Sequence, residues 1–269
     1  MTTLAIDLDG TLLHPDNRIS EGNRRALLAL PPETDIVICS ARPLRAILSL
    51  TDSAGLLPVL RAIGACNGAV IYDCRTQSVL NRATLSPAVL SALQNLLTTG
   101  WHAFGEDALL CPPGEISEYT IHEAELFGLP IQTLAADDIF SRTDIIKITL
   151  CGEAEALRQR AENLHPQLPA KVSAFFTDQH YFELVPASVS KGSTLKILTE
   201  RGILRPGTIM AIGDQENDLS LFAAADLRVA MGNAVPALKQ ASGYITADCR
   251  EDGVAAALHH YRAAFRNDT

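Results

Sequence analysis

The segment that most constrains the fold is residues 4–13, which read LAIDLDGTLL. Its apolar run predicts a buried strand that delivers Asp7 and Asp9 to a turn at Gly10 and Thr11. Because positions i and i+2 share one face of a strand, both carboxylates are expected to point the same way at the strand's carboxyl end. Two anions held so close repel each other, which raises one pKa or requires a cation between them. A solvated turn after an edge strand is the structural alternative.

Helix and strand patterns then alternate, which predicts an α/β protein. Ser20 is the predicted N-cap of a helix that ends before Pro31, and residues 35–39, DIVIC, predict a second buried strand. Ser40 follows at the tip of this strand, and Pro43 suits the first turn of the next helix. The Ser40 hydroxyl and the backbone N–H groups at this helix start can bind an anion, although a plain Ser N-cap explains the same pattern.

Residues 63–73 predict a third strand, a tight turn and a hairpin arm. The turn falls at Asn67 and Gly68. A purely structural turn and a contact from Asn67 to a substrate are both open at this point.

Strong patterns return after residue 186. Ser190 is the predicted N-cap of a helix whose first turn contains Lys191, where the helix dipole prefers an anion to a cation. This misplaced charge indicates that Lys191 binds an anion, with a solvated surface lysine as the alternative. The apolar run TIMAIG, residues 208–213, predicts a further strand that is followed by Asp214 and Asp218. These two acids are either site residues or simple helix caps.

Residues 81–186 have a different pattern. Two helix-strand-strand units are predicted there, separated by a segment at 112–144 that predicts no clear element before the strand-like IIKITL. The pattern predicts a second, inserted domain between the two halves of the first. Five of its polar or amphipathic side chains are candidates for substrate contacts, with surface or packing roles as the alternative: Trp101, His102, Glu106, His180 and Tyr181.

The composition and net charge of the chain restrict the classes of partner that it can bind. The net charge is −9 and no basic stripe is visible, which argues against nucleic acid and against an anionic membrane surface. A phosphorylated ligand must therefore be attracted locally, for example by a bound cation. The six cysteines are scattered without metal-ligand or disulfide spacing, and no signal segment or apolar run of membrane-spanning length is present. The sequence predicts reduced thiols and a cytoplasmic protein, and it defines no oligomeric state.

Four of these strings together resemble the motifs of the haloacid dehalogenase superfamily of phosphohydrolases. DLDGT at Asp7 is similar to the first motif, Ser40-Ala41-Arg42 to the second, SKG at Lys191 to the third, and GDQEND at Asp214 to the fourth. The related subgroup commonly has Thr-Gly-Arg at the second motif. Ala41 keeps the backbone N–H but makes an unusual φ less comfortable there. The endings VAMGNA and EDGVAAAL, and the length of the insert, resemble the Cof-like type II-B subgroup.

The resemblance implies a role for each matched residue. Asp7 would be the nucleophile that becomes phosphorylated, Asp9 the general acid and base, and Lys191 a catalytic residue that neutralises the phosphoryl group. The implied substrate-binding residues are Ser40, Ala41, Arg42, Lys191 and Asn217. The implied ligands and supports of a Mg²⁺ ion are Asp7, Asp9 through its backbone carbonyl, Asp214 and Asp218.

The sequence therefore predicts an α/β protein with a doubly wound, parallel-sheet core and an inserted α/β cap domain. The core is expected at 1–80 and 187–269, and the cap at 81–186. The expected activity is Mg²⁺-dependent hydrolysis of a small phosphorylated metabolite, such as a sugar phosphate, through an aspartyl phosphate. A phosphomutase of the same fold and a non-catalytic sensor of phosphorylated ligands are the alternatives.

Overall fold

The structure is a computed structural model and describes residues 2–262. The described chain divides into two compact units. The core unit comprises residues 2–81 and 190–262, and the inserted unit comprises residues 82–189. The first core segment ends at residue 81, one residue beyond the predicted end at 80. The inserted unit ends at residue 189, three residues beyond the predicted end of the cap at 186.

The described residues form fourteen strands and ten α-helices. The strands are β1 (Thr2–Ile6), β2 (Asp35–Cys39), β3 (Leu60–Ala65), β4 (Val70–Asp73), β5 (Ser78–Arg82), β6 (Trp101–Phe104), β7 (Leu109–Cys111), β8 (Ile131–Thr133), β9 (Lys147–Cys151), β10 (Val172–Asp178), β11 (Tyr181–Pro186), β12 (Thr208–Gly213), β13 (Leu227–Ala230) and β14 (Tyr244–Ile245). The helices are α1 (Glu21–Leu28), α2 (Leu44–Ser53), α3 (Pro87–Gln94), α4 (Glu118–Phe127), α5 (Ala136–Phe140), α6 (Ala154–Leu164), α7 (Lys191–Glu200), α8 (Leu219–Ala223), α9 (Pro236–Ala241) and α10 (Gly253–His260). Within 2–262, no helix has the length and apolar character that a bilayer crossing requires.

The core unit is built on an eight-stranded sheet with the order β14-β13-β12-β1-β2-β3-β4-β5. Its first six strands run parallel, and β4 returns antiparallel to β3. In the centre, Leu4 of β1 pairs with Ile36 of β2 on one side and with Met210 of β12 on the other. From β1, the first half of the chain adds β2 and β3 on one side, and the second half adds β12, β13 and β14 on the other side. The carboxyl ends of β1 and β12 therefore flank a topological switch point, where open α/β sheets bind ligands. The predicted fold class is confirmed.

Two helix starts in the core unit confirm the predicted caps. Ser20 precedes α1, and its hydroxyl accepts a hydrogen bond from the backbone N–H of Asn23 at 3.0 Å. Ser190 precedes α7 and forms a reciprocal capping box with Ser193. Pro43 is a correction: it lies just before α2 and not in its first turn, because its ψ of 150° keeps it in extended conformation.

The inserted unit has its own six-stranded sheet with the order β10-β11-β9-β6-β7-β8. All neighbouring pairs are antiparallel except β7 and β8. The predicted short strands are found as β6, β7, β9, β10 and β11. The segment 112–144, which the sequence left without elements, contains α4, β8 and α5.

The five candidate contact residues of the inserted unit divide by burial. Trp101 lies in its hydrophobic core, 5.0 Å from the ring of Phe140, so packing is its role. His102 is fully buried as well. The other three keep exposed surface: Glu106, His180 and Tyr181.

The contact between α7 and α8 generates a stability prediction. A Cβ at Gly192, in the first turn of α7, would lie 2.1 Å from the backbone oxygen of Ser220. Gly192→Ala should therefore destabilise the protein by about 1–3 kcal/mol through overpacking. This is the net effect, since alanine also has the higher helix propensity. At Gly243 the nearest atom would be 3.8 Å away, so Gly243→Ala is the matched control and should stay within about 0.5 kcal/mol of the wild type. Urea denaturation measures both, and equal stabilities would contradict the close packing.

Candidate active site

Asp7 and Asp9 occupy different environments. Strand β1 ends at Ile6, although the Asp7 N–H still donates to the carbonyl of Ile212 at 3.1 Å. Asp7 is buried, whereas the side chain of Asp9 is 52% exposed. The expectation that both carboxylates share one strand face is wrong, because the chain has already left the strand when it reaches Asp9.

The turn after β1 is pressed against Asp214. Gly10 has a φ of 73°, in the left-handed region that favours glycine. A Cβ at Gly10 would lie 2.4 Å from Oδ2 of Asp214. Thr11 follows and donates its hydroxyl to Oδ1 of Asp214 at 3.0 Å. Glycine is therefore required at position 10 by the backbone conformation and by the closeness of Asp214, and Thr11 is required for the hydrogen bond to Asp214.

Lys191 connects the acids of the site. Its Nζ lies 2.7 Å from Oδ1 of Asp7 and 2.6 Å from Oδ1 of Asp218, and the side chain is 2% exposed. Burial alone would lower the pKa of Lys191, but the charges of Asp218 and Asp7 outweigh it and hold that pKa well above its ordinary value. The misplaced cation at the start of α7 is thus explained by anions outside the helix.

Asp218 uses both of its oxygens. While Oδ1 accepts from Lys191, Oδ2 accepts from the backbone N–H groups of Asp214 at 2.9 Å and of Gln215 at 3.0 Å. This side chain therefore orients Lys191 and shapes the loop that leaves β12.

Three carboxylates converge on one point. One oxygen each of Asp7, Asp214 and Asp218 lie within 4.8 Å of one another. Burial, together with the charges of Asp218 and Asp9, raises the pKa of Asp7 to about 7 despite Lys191. Burial and the charges of Asp7 and Asp218 also raise the pKa of Asp214 well above its ordinary value. Oxygen ligands that repel one another in this way fit a hard divalent cation such as Mg²⁺.

Arg42 binds Asp9. Its Nε lies 2.8 Å from Oδ2 and its Nη2 2.5 Å from Oδ1 of Asp9, which is a two-point contact. The same Nη2 donates to Oδ1 of Asn17 at 2.6 Å. The structure therefore places Arg42 against Asp9, the expected acid and base. The role of Arg42 as a substrate ligand stays a prediction.

The other predicted substrate-binding residues lie where neighbouring segments meet. Ser40 follows β2, is fully buried, and accepts from the N–H of Arg42 at 3.1 Å. Ala41 has no positive φ, so the residue that replaces glycine fits its backbone. Asn67 has a φ of 58° in the turn between β3 and β4, and its Oδ1 accepts from Nδ2 of Asn217 at 3.0 Å. The turn role of Asn67 is seen directly, and this bond links it to Asn217.

Three polar residues that the sequence reading did not assign support the site. Thr11 binds Asp214, and Asn17 binds Arg42, as described above. Asn233 donates to the carbonyl of Gly10 at 2.8 Å and accepts from the N–H of Cys249 at 3.0 Å. Asn233 belongs to the MGNA string, so its position in a recognised pattern was the signal available.

The fold and the site define the class of protein: an open α/β protein with a buried carboxylate and lysine centre at its switch point. The sequence matches the family of haloacid dehalogenase-like hydrolases over residues 4–258. The chain therefore belongs to that family, and the predictions of the family and of a hydrolase are confirmed.

Relatives and solved structures agree with this assignment. A 5-amino-6-(5-phospho-D-ribitylamino)uracil phosphatase of Bacillus subtilis (strain 168), YwtE, is 30% identical over 285 residues, which cover 95% of this chain and 96% of the relative. The HMP-PP phosphatase of Serratia proteamaculans is 28% identical over 266 residues, with 96% and 94% covered. A haloacid dehalogenase-like hydrolase from Bacteroides thetaiotaomicron is 28% identical in structure-based alignment, with a TM-score of 0.82 and coverage of 97% and 99%. A subclass IIB sugar phosphatase with a TM-score of 0.82 and 20% identity shares the fold.

The buried carboxylates generate a prediction of pH dependence. Because the folded-state pKa of Asp7, about 7, lies above its ordinary value of 3.8, the folded protein retains a proton that the unfolded chain releases between these values. The free energy of unfolding should therefore fall by up to a few kcal/mol as pH rises from about 4 to about 7 in the presence of a chelator. Urea denaturation at several pH values measures this decline.

Asp7→Asn cannot ionise and should show a smaller decline than the wild type. Asp16→Asn, which changes an exposed acid, is the control and should follow the wild type. Added Mg²⁺ should stabilise the wild type at pH 7.5 and stabilise Asp7→Asn less. A decline that is the same in all three proteins would contradict the assignment to Asp7.

Proposed function

We propose that this protein is a Mg²⁺-dependent phosphatase that hydrolyses a small phosphorylated metabolite through an aspartyl phosphate on Asp7. Its class is that of the phosphatases of the haloacid dehalogenase-like hydrolase family. The observation that carries the proposal is the position of Lys191 between Asp7 and Asp218 at the switch point of the sheet. An anionic nucleophile, a fixed cation and a second acid beside them suit phosphoryl transfer, which depends on positioning and charge neutralisation.

The metal site is proposed on Asp7 and Asp214, with the backbone carbonyl of Asp9 as a further ligand and Asp218 in support. The three carboxylates provide oxygen ligands only. Burial and neighbouring negative charges raise the pKa of Asp7 and of Asp214, and a bound cation would offset this effect. When bound, Mg²⁺ supplies charge neutralisation for the phosphoryl oxygens.

In the proposed first step, Asp7 attacks phosphorus and the bond to the leaving oxygen breaks. Lys191 stabilises the negative charge of the phosphoryl group, and the Ser40 hydroxyl with the N–H group of Ala41 binds its oxygens. In the second step, water attacks the aspartyl phosphate and regenerates Asp7. Asn217 is proposed to contact the same phosphoryl group.

Asp9 is proposed to protonate the leaving oxygen and then to take a proton from water. In the structure both of its carboxylate oxygens bind Arg42, while half of its side-chain surface is exposed. Proton donation therefore requires Asp9 to turn from the guanidinium toward the leaving group. Arg42 acts in this proposal as the residue that positions Asp9 between turnovers.

The inserted unit is proposed to act as a cap that reads the part of the substrate remote from phosphorus. Glu106, His180 and Tyr181 are the candidate contacts, because each keeps exposed surface. The substrate class is a small phosphorylated metabolite such as a sugar phosphate, and the proposed location is the cytoplasm.

The first test concerns the nucleophile. Asp7→Asn should lower kcat for p-nitrophenyl phosphate and for a panel of sugar phosphates by at least about a thousandfold, because an amide is a poor nucleophile and metal ligand. Circular dichroism should show an intact fold. Asp16→Asn is the control and should retain wild-type kcat.

In the wild type, an acid-quenched reaction with ³²P-labelled substrate should carry label on a peptide that contains Asp7. Phosphate release should need no bisphosphate activator, which excludes a mutase. Substantial turnover by folded Asp7→Asn, or no labelled peptide under burst conditions, would contradict the covalent mechanism.

The second test concerns the proton donor. Asp9→Asn should slow phosphorylation of the enzyme by about 10²–10⁴-fold for alkyl phosphates, whose leaving groups need a proton. The effect on p-nitrophenyl phosphate should be much smaller in this step, since nitrophenolate leaves without protonation. Rapid-quench kinetics separate the two steps, and an equal loss for both substrates would show that Asp9 has another role.

A further inference from the structure

The inserted unit contains a buried polar cluster, the Cys151 cluster, formed by Cys151, His102, Glu123, Ser117 and Thr120. In the pairing of β6 with β9, Trp101 lies opposite Leu150, and both belong to the hydrophobic core on one face of the sheet. Since neighbouring residues of a strand face opposite sides, His102 and Cys151 lie on the other face.

The imidazole of His102 lies between a thiol and a carboxylate. Its Nδ1 is 3.9 Å from Sγ of Cys151, and its Nε2 is 2.6 Å from Oε2 of Glu123. All three side chains are buried, with His102 fully so. This is the order of groups by which a histidine activates a cysteine while an acid orients the histidine.

The start of α4 meets the same sulfur. Sγ of Cys151 lies 3.6 Å from the hydroxyl of Ser117 and 3.8 Å from the hydroxyl of Thr120. In the capping box each of these oxygens already accepts from a backbone N–H of the other residue, so a hydroxyl hydrogen is available for the sulfur. The two hydroxyls also lie 3.1 Å apart and can share one hydrogen bond, which leaves the other hydroxyl hydrogen for the sulfur. A helix N-terminus with this donor favours negative charge on the thiol.

A second cation lies near the cluster. Arg160 of α6 donates through Nη1 to the carbonyl of Gly100 at 3.3 Å, while its Nη2 is buried without a hydrogen-bond partner in the described structure. Burial lowers the pKa of Arg160, and the charges of Cys151 and Glu115 offset part of this effect. The titratable groups that face Cys151 directly or through His102 are His102 on β6, Cys111 on β7, Tyr119 and Glu123 on α4, Arg160 on α6 and Tyr181 on β11.

The hydrogen bonds and charges around Cys151 and His102 shift the pKa values of both side chains. Burial alone would raise the pKa of Cys151, but the hydrogen bonds and the charge of His102, with the Ser117 and Thr120 hydroxyls, lower it below its ordinary value. Burial alone would lower the pKa of His102, but its bonds with Cys151 and Glu123 raise it to about 9. For comparison, burial raises the pKa of Cys111 to about 11 and that of Cys74 to about 12.

We propose that Cys151 is a peroxide-sensitive modification site, a thiolate paired with the His102 imidazolium. The sulfur attacks one oxygen of hydrogen peroxide and the O–O bond breaks. The departing oxygen takes the Nδ1 proton of His102 and leaves as water, so that the products are a sulfenic acid and a neutral imidazole. Sulfur loses two electrons and the peroxide gains them. Because only 6% of the surface of Cys151 is exposed, a small oxidant is favoured over bulky thiol reagents.

The test is independent of phosphatase activity. The full-length protein is treated with hydrogen peroxide at pH 7, the peroxide is removed with catalase, and the protein is unfolded and alkylated. Peptide mass spectrometry then gives the rate at which each cysteine loses its free thiol. Cys151 should react at least about tenfold faster than Cys74 or Cys111, and dithiothreitol should restore it. A rate equal to that of Cys74, which is more exposed, would overturn the proposal.

Two further measurements separate an activated thiol from a merely buried one. The rate for wild-type Cys151 should level off at a lower pH than the rate for Cys74, and this comparison needs no variant. His102→Gln should slow Cys151 oxidation by at least about tenfold, and Thr120→Val, which keeps the side-chain shape, should slow it by a smaller factor. A Cys151 rate that rises with pH in parallel with that of Cys74, or that is unchanged in folded Thr120→Val and His102→Gln, would overturn it.

Discussion

The core of this protein depends on the burial of one ammonium group among three carboxylates. Lys191 bonds Asp7 and Asp218, and the latter holds the backbone of Asp214 through its other oxygen. Removal of Lys191 would leave Asp7 and Asp218 buried without their cation, which is the costly case for ions inside proteins. The bonds also join β1, the start of α7 and the loop after β12, three elements far apart in the chain. The same contacts therefore order the fold and assemble its chemistry.

The two units use the start of a helix in different ways. In the core unit, the capping box before α7 orders the turn that carries Lys191, and anions from other segments surround that cation. In the inserted unit, the capping box before α4 places the hydroxyls of Ser117 and Thr120 near the sulfur of Cys151, and the His102 ring contacts that thiol. In both places a buried ionisable side chain contacts groups outside its own element. Buried charges arranged in this way are typical of functional sites.

Much of this could be predicted because the determinants are local. A buried parallel strand reads as a continuous apolar run, so β1, β2 and β12 were clear, and Ser20 and Ser190 marked helix starts by their capping chemistry. The elements between 112 and 144 were not clear. The helix α4 buries Thr120 and Glu123 on its packed face, and such polar residues conceal the apolar periodicity on which a helix prediction depends. Pro43 was placed one position too far into α2 for a related reason, because helix boundaries follow cap geometry that proline alone does not define.

By itself, the sequence determined which residues stand at the ends of strands: Asp7 after β1, Ser40 after β2 and Asp214 after β12. It also determined the unusual charge of Lys191 at a helix start, since each of these facts follows from neighbouring residues. Only the tertiary structure decided the pairings, because hydrogen bonds and charge interactions act across space between distant segments. Asp9 therefore binds Arg42 and does not share a strand face with Asp7. The sulfur of Cys151 likewise contacts the ring of His102, 49 residues away in the chain.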